Sequence, residues 1–175
     1  QLTGNVTQYS YYFSRYTHIW GWATWKRTWD QVDFSMKYWP EYRDMKGLHG
    51  VFSRWYEREY WYQFYQDMYD GKRKSHWDFK LLLSTFMNNN LSIIPNTNLV
   101  TNVGFGVDAA NIKEKSDRHF LDAKTIDLPL NHPPYVKNYV EADDFTEKKI
   151  FSRGIFGYSR TKFKHYCPEI IVNVI

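Results

Sequence analysis

The chain has 175 residues, of which 43% are hydrophobic and 24% charged, with a formal net charge of +4. That length supports one domain with its own core, and the composition excludes a disordered chain, in which hydrophobic content is low and net charge high. The basic residues are scattered among acids and their densest run is only Lys72-Arg73-Lys74, so a nucleic-acid-binding face is not expected.

No apolar run approaches the roughly 20 residues that a membrane-crossing helix needs. The single cysteine, Cys167, has no partner in the chain for a disulfide, and the opening residues carry no secretory pattern. These features predict a cytoplasmic protein whose membrane contact, at most, is peripheral at the inner membrane. The composition departs from the ordinary in its aromatics, 20% of the chain as 8 Trp, 15 Tyr and 12 Phe. Such rings serve a packed core and stacking on sugar rings equally well.

Taken in chain order, the aromatic run Tyr9 to Phe13 predicts a short strand. Trp22, Trp25 and Trp29 are spaced by three and four, which predicts a helix from about Gly21 to Asp30. Such a stripe more often packs into a core than binds a ligand, and the loop residues His18, Trp20 and Gly21 are the better site candidates. A loop through Pro40 and Gly47 leads to a long helix over about Val51 to Tyr69, where Phe52, Trp55 and Tyr56 and then Trp61, Phe64, Tyr65 and Met68 follow helical i, i+3, i+4, i+7 spacing, and Gly71 stops it.

Ser75 followed by Asp78 has the capping-box pattern and opens a helix with Phe79, Leu82, Leu83 and Phe86 on one side, ended by Asn88-Asn89-Asn90. Two strands over Leu91 to Ile94 and Leu99 to Val103 follow, divided by the turn formers Pro95 to Asn98. Gly104-Phe105-Gly106 opens an irregular stretch. His132-Pro133-Pro134 predicts an extended strap over Leu128 to Tyr135, because proline fixes φ and disfavours helix before it. A short helix is expected over Asp143 to Phe151, and a strand or docking segment over the last residues, Ile170 to Ile175. The order of elements predicts an incomplete α/β or α+β unit, helix-rich with a few short strands.

Four ordered blocks carry a resemblance. They are Tyr12-Phe13-Ser14-Arg15-Tyr16 with Ile19-Trp20-Gly21-Trp22-Ala23-Thr24-Trp25; Trp77-Asp78; Leu91 to Asn96 with Asn98-Leu99-Val100 and Asn102 to Gly106; and Pro129 to Pro134. Together they resemble the carboxy-terminal half of bacterial nucleotide-diphospho-sugar transferases, the hemolytic-protein-like group of GT-A glycosyltransferases. The resemblance implies a GT-A-like fold, a nucleoside diphosphate sugar as donor, a glycan or lipid-linked acceptor in polysaccharide biosynthesis, and a divalent metal, Mn or Mg. It also implies that the nucleotide-binding half is missing, since no Asp-x-Asp occurs in the sequence. That half is then expected from a partner chain, and an uncovered core face predicts homo-oligomers. The alternative is a non-catalytic carbohydrate-binding or oligomerising remnant.

The resemblance makes Asp78 the candidate base that removes the acceptor proton, with Trp77 as a wall for the sugar. A capping role accounts for Asp78 equally, and the N–H groups that it caps would weaken it as a base. Trp20, Gly21, Trp22 and His18 are the candidate acceptor platform, with Gly21 letting the sugar approach. Arg15, Asp108 and His132 are candidate donor or phosphate contacts. Where similar transferases read Gly-Phe-Gly-x-Asp-Ala-Thr-His, this chain has Asn111 in place of the final histidine, which removes an imidazole able to bind metal or diphosphate. The metal ligands are not assigned.

Overall fold

The computed structural model describes residues 6–74, 76–101 and 122–151. Its helices are α1 (Lys26–Trp29), α2 (Trp39–Asp44), α3 (Trp55–Tyr69), α4 (Trp77–Met87) and α5 (Val140–Thr146), and its strands are β1 (Tyr11–Ser14) and β2 (Ser92–Pro95). A 3₁₀ turn over Gly47–His49 and a π-helical turn over Glu147–Phe151 complete them. The described residues thus form a helix-rich α/β structure with one small sheet.

α3 and α4 make the core. Along α3 the buried residues are Glu57, Trp61, Phe64, Tyr65 and Met68, the spacing of a single face. α4 is buried on every side from Leu81 to Phe86, as expected of a helix enclosed by its neighbours. Trp61 is the centre: its ring stacks on Tyr65 at 5.4 Å and on Phe52 at 6.0 Å, and meets the edge of Phe86 at 5.8 Å. Each buried aromatic of this kind contributes about 1.5–3 kcal/mol by leaving water, with the ring geometry adding to it. Both helices end in left-handed residues, Gly71 (φ 72°) and Asn89 (φ 51°), as the sequence predicts.

The sheet is antiparallel, with Tyr12 opposite Ile94 and Phe13 opposite Ile93. Tyr12 and Ile94 bury against Ala142 of α5. On its other edge β1 meets Asn138 in a parallel bridge, and the Tyr139 amide donates to the Phe13 carbonyl at 2.8 Å. α5 is fixed there by Asp143, whose carboxylate accepts from the Ser14 hydroxyl at 2.6 Å, Arg15 Nε at 3.0 Å and Asn138 Nδ2 at 2.7 Å. Beside it, Arg54 before α3 donates to both oxygens of Asp144 and to Glu57. The strap over 128–135 lies against the segment before β1, where the Ser10 amide donates to the Asn131 carbonyl at 2.9 Å and the Asn131 amide to the Ser10 hydroxyl at 2.8 Å.

Several elements differ from expectation. The helix expected from Gly21 to Asp30 is reduced to α1, because Gly21 has φ 61° and Trp25 is extended at ψ 145°, neither compatible with a right-handed helix. The loop expected through Pro40 is instead α2, with Trp39 wholly buried and Pro40 in the first turn, where its missing N–H is not needed. The first strand begins two residues late, at Tyr11. Leu99 to Thr101 are not strand. α4 starts at Trp77 with His76 in the N-cap position and no side-chain cap, so the expected capping box with Asp78 at its third helical position does not form, and Ser75 itself lies outside the described residues. The last helix starts early, at Val140, and widens to a π turn at Glu147. Gly104-Phe105-Gly106, Asp108, Asn111, Cys167 and the Ile170–Ile175 segment also lie outside the described residues.

Candidate functional site

Trp22, from the extended segment after β1, and Trp77, which opens α4, stack with centroids 5.5 Å apart and planes 26° from parallel. Trp29 at the end of α1 packs on both, at 6.0 Å from Trp22 and 6.3 Å from Trp77, and Phe34 follows at 5.3 Å from Trp29. Three of the four stay open to solvent: Trp77 is 44% exposed, Trp29 39% and Phe34 40%. The result is a contiguous aromatic surface open to solvent. The tryptophan stripe therefore does not enter the core, the more frequent fate for that spacing. It turns outward because the backbone from Gly21 to Trp25 is not helical.

The site residues drawn from the sequence divide into those gathered at this surface and those held elsewhere. Trp22 and Trp77 are brought together, and Asp78 is the next residue along α4, half-buried, its carboxylate without a hydrogen bond or ion pair to another described residue. Trp20 is exposed on the same segment. Gly21 has a different role from the one expected. A Cβ there would overlap the Val100 side chain, so the glycine is needed for packing on that side, while the residue itself stays exposed.

Arg15 points inward. Its Nε pairs with Asp143, an Nη donates to the Val51 carbonyl, and the guanidinium lies over the Phe52 ring at 5.6 Å. His132 is exposed on the strap, where its Nδ1 lies 3.0 Å from the Tyr11 hydroxyl. His18 is half-buried, and burial pushes its pKa below the usual histidine value, so it favours the neutral imidazole. Neither histidine lies in a group able to hold a metal: among the described residues no cluster of three His, Cys, Asp or Glu side chains is placed to do so.

The sequence reading missed the ground next to the aromatic surface. Phe34 forms one wall of an open depression of about 760 Å³ between residues 30–45 and the end of α4. Asp33 shapes this segment: its carboxylate accepts from the Ser35 hydroxyl at 2.6 Å and the Tyr38 amide at 3.0 Å, while its own amide donates to Ser84 of α4 at 3.2 Å. An Asp followed two residues later by Ser is a turn signal visible in the sequence, but nothing there says which helix the turn packs on. Among the described residues no helix is long and apolar enough to cross a membrane.

Comparison with known proteins returned no match: no family model fits the chain, and no curated protein or solved structure is similar to it.

Proposed function

We propose that this chain forms the acceptor side of a cytoplasmic GT-A-type glycosyltransferase and holds a sugar against the Trp22–Trp77 stack. The observation that carries the reading is the exposed aromatic surface itself. Its two central members come from two of the four blocks on which the family resemblance rests, and a carboxylate, Asp78, adjoins it. Flat indole faces match the C–H faces of pyranose rings. In the transfer step, the acceptor hydroxyl proton passes to Asp78 as its oxygen bonds to the anomeric carbon and the nucleoside diphosphate leaves with the electron pair of the broken bond. The described residues do not supply ligands for the divalent metal that the resemblance implies, and no role is assigned to one on them.

A second reading, a carbohydrate-binding unit without catalysis, is favoured by Arg15, whose charge is already committed to Asp143 and Val51. Calorimetric titration tests both. Neutral glycans are expected to bind, and Trp77→Ala to abolish that binding; glycans that bind equally well to the variant, or not at all to either protein, would sink the sugar-platform reading. In the same cell, binding or turnover of UDP- or GDP-sugars with manganese separates the transferase from the binding unit.

A further inference from the structure

Phe34 belongs to two surfaces at once. Its ring packs 5.3 Å from Trp29 in the aromatic patch, and it walls the neighbouring depression of about 760 Å³. The rest of that wall mixes the rings of Tyr38 and Tyr42 and the apolar side chains of one valine and two methionines with polar groups that include Gln31, Glu41 and Asn88. Rings accept the apolar faces of sugars, while carboxylates and amides offer paired atoms that suit adjacent hydroxyls. A lipid tail or apolar peptide would strand those polar groups without partners.

Size and charge narrow the ligand further. A cavity of about 150 Å³ encloses a benzene ring, and a hexose adds hydroxyls to a ring of the same size, so the depression has room for more than one sugar. Its charged wall residues are Asp30, Asp33 and Glu41 against Lys37, and since Asp30 is paired with Lys26 at 2.5 Å, the remaining excess of negative charge rests on Asp33 and Glu41. The Lys37 ammonium lies over the Tyr38 ring at 4.5 Å, and nearby Lys80 donates to the Phe34 carbonyl. Asp33 stays ionised: partial burial opposes this, but the donors from Ser35 and Tyr38 outweigh it and hold its pKa below the usual carboxylate value. A negative lining repels anionic glycans.

We infer that the ligand of the aromatic patch is a neutral oligosaccharide that runs from Trp22 and Trp77 across Phe34 into the depression beside α4. This rests on the sugar-platform reading of the patch and adds the length and charge of what it binds. The test titrates the protein with neutral cello-, malto- and N-acetylchito-oligosaccharides from monosaccharide to hexasaccharide, and with oligogalacturonates of matching length. In at least one neutral series affinity should rise about tenfold or more with length, and the oligogalacturonates should bind about tenfold more weakly. Tyr38→Ala and Glu41→Ala, each checked for fold by circular dichroism, should remove the gain from length and leave binding of the short ligands unchanged. Affinity independent of length, insensitivity to both substitutions, or preference for the anionic series would overturn the inference. Length-independent binding that Trp77→Ala still abolishes would overturn it alone, whereas no glycan binding at all would remove the sugar platform with it.

Discussion

The rings of Trp22 and Trp77 lie stacked at 5.5 Å, although one belongs to an extended segment and the other to the first turn of a helix. Trp77 is 44% exposed, so its loss forfeits about half of the roughly 1.5–3 kcal/mol that burying a large side chain contributes, and an aromatic pair adds about 0.5–1.5 kcal/mol beyond its area. Trp77→Ala should therefore lower the unfolding free energy by about 1–3 kcal/mol. Glycan affinity should fall far more steeply. Urea denaturation beside calorimetric titration separates the two effects.

Gly21→Ala is expected to be costly for two separable reasons. The residue sits at φ 61°, and a Cβ would overlap Val100. The left-handed conformation alone costs about 1–2 kcal/mol for a residue with a side chain. Val100→Ala in the same chain should relieve the overlap and leave that backbone cost, so a double-mutant cycle by chemical denaturation should show a favourable coupling. Strict additivity would mean that Val100 does not crowd this position.

Asp143→Ala should be the most destabilising of these substitutions. It strips the Ser14 hydroxyl, Asn138 and the Arg15 guanidinium of their common acceptor in a site where Asp143 is 1% exposed. Breaking a buried pair in this way costs about 3–5 kcal/mol, a large part of the roughly 5–15 kcal/mol that stabilises an ordinary domain. The denaturation midpoint in urea reads it directly.

Stability should fall in two separate stages as pH drops. His18 has a folded pKa below its unfolded value of about 6.5. On acidification the unfolded chain therefore takes up the proton first, and stability complete above that pH declines below it. Asp144, held below the usual carboxylate value by the two donors of Arg54 despite partial burial, contributes stability that is complete above about pH 4 and is lost as pH falls through its folded value. His18→Asn should flatten the first stage and leave the second. Urea midpoints measured across pH give both slopes.

Tyr65→Phe should leave the melting temperature unchanged or raise it. The Tyr65 side chain is fully buried, and its hydroxyl finds no hydrogen-bond partner among the described residues. An unsatisfied buried hydroxyl costs about 1–3 kcal/mol, and phenylalanine removes it with the ring stack on Trp61 intact. Calorimetric melting of the two proteins is the comparison.

What the sequence disclosed was governed by local rules. α4 and the second half of α3 are legible because Phe79, Leu82, Leu83 and Phe86, and Trp61, Phe64, Tyr65 and Met68, follow helical spacing, and their ends because Gly71 and Asn89 supply the left-handed residue that a helix stop needs; the start of α3 was not, since the helix expected from Val51 begins at Trp55, which is 53% exposed. α2 was hidden: Pro40 reads as a loop former, and only tertiary burial of Trp39 makes a short helix worthwhile there. Of the site, Trp22 and Trp77 were each visible as candidates. Their contact was not, because it depends on how the segment after β1 crosses the start of α4. The tryptophan spacing pointed to a helix that the positive φ at Gly21 and the extended backbone at Trp25 confine to α1, and Arg15 looked like an anion contact until its partner Asp143 appeared far along the chain. For Phe34 and the depression the only local signal is the Asp33–Ser35 turn, which does not say what the turn packs on.

β1 is central to the fold yet owes nothing to its neighbours in sequence. Its edges are completed by β2 and by residues 138–143, and the Ser14–Asp143 bond closes a sequence separation of 129. During synthesis β1 thus emerges well before residues 138–143 and has to wait for them, since closing long loops precedes any reward for the contacts. Until then Tyr12 and Phe13 offer an unpaired aromatic edge to other chains, so misassembly on the ribosome should begin at this strand and shortening the chain before Asp143 should prolong the exposure.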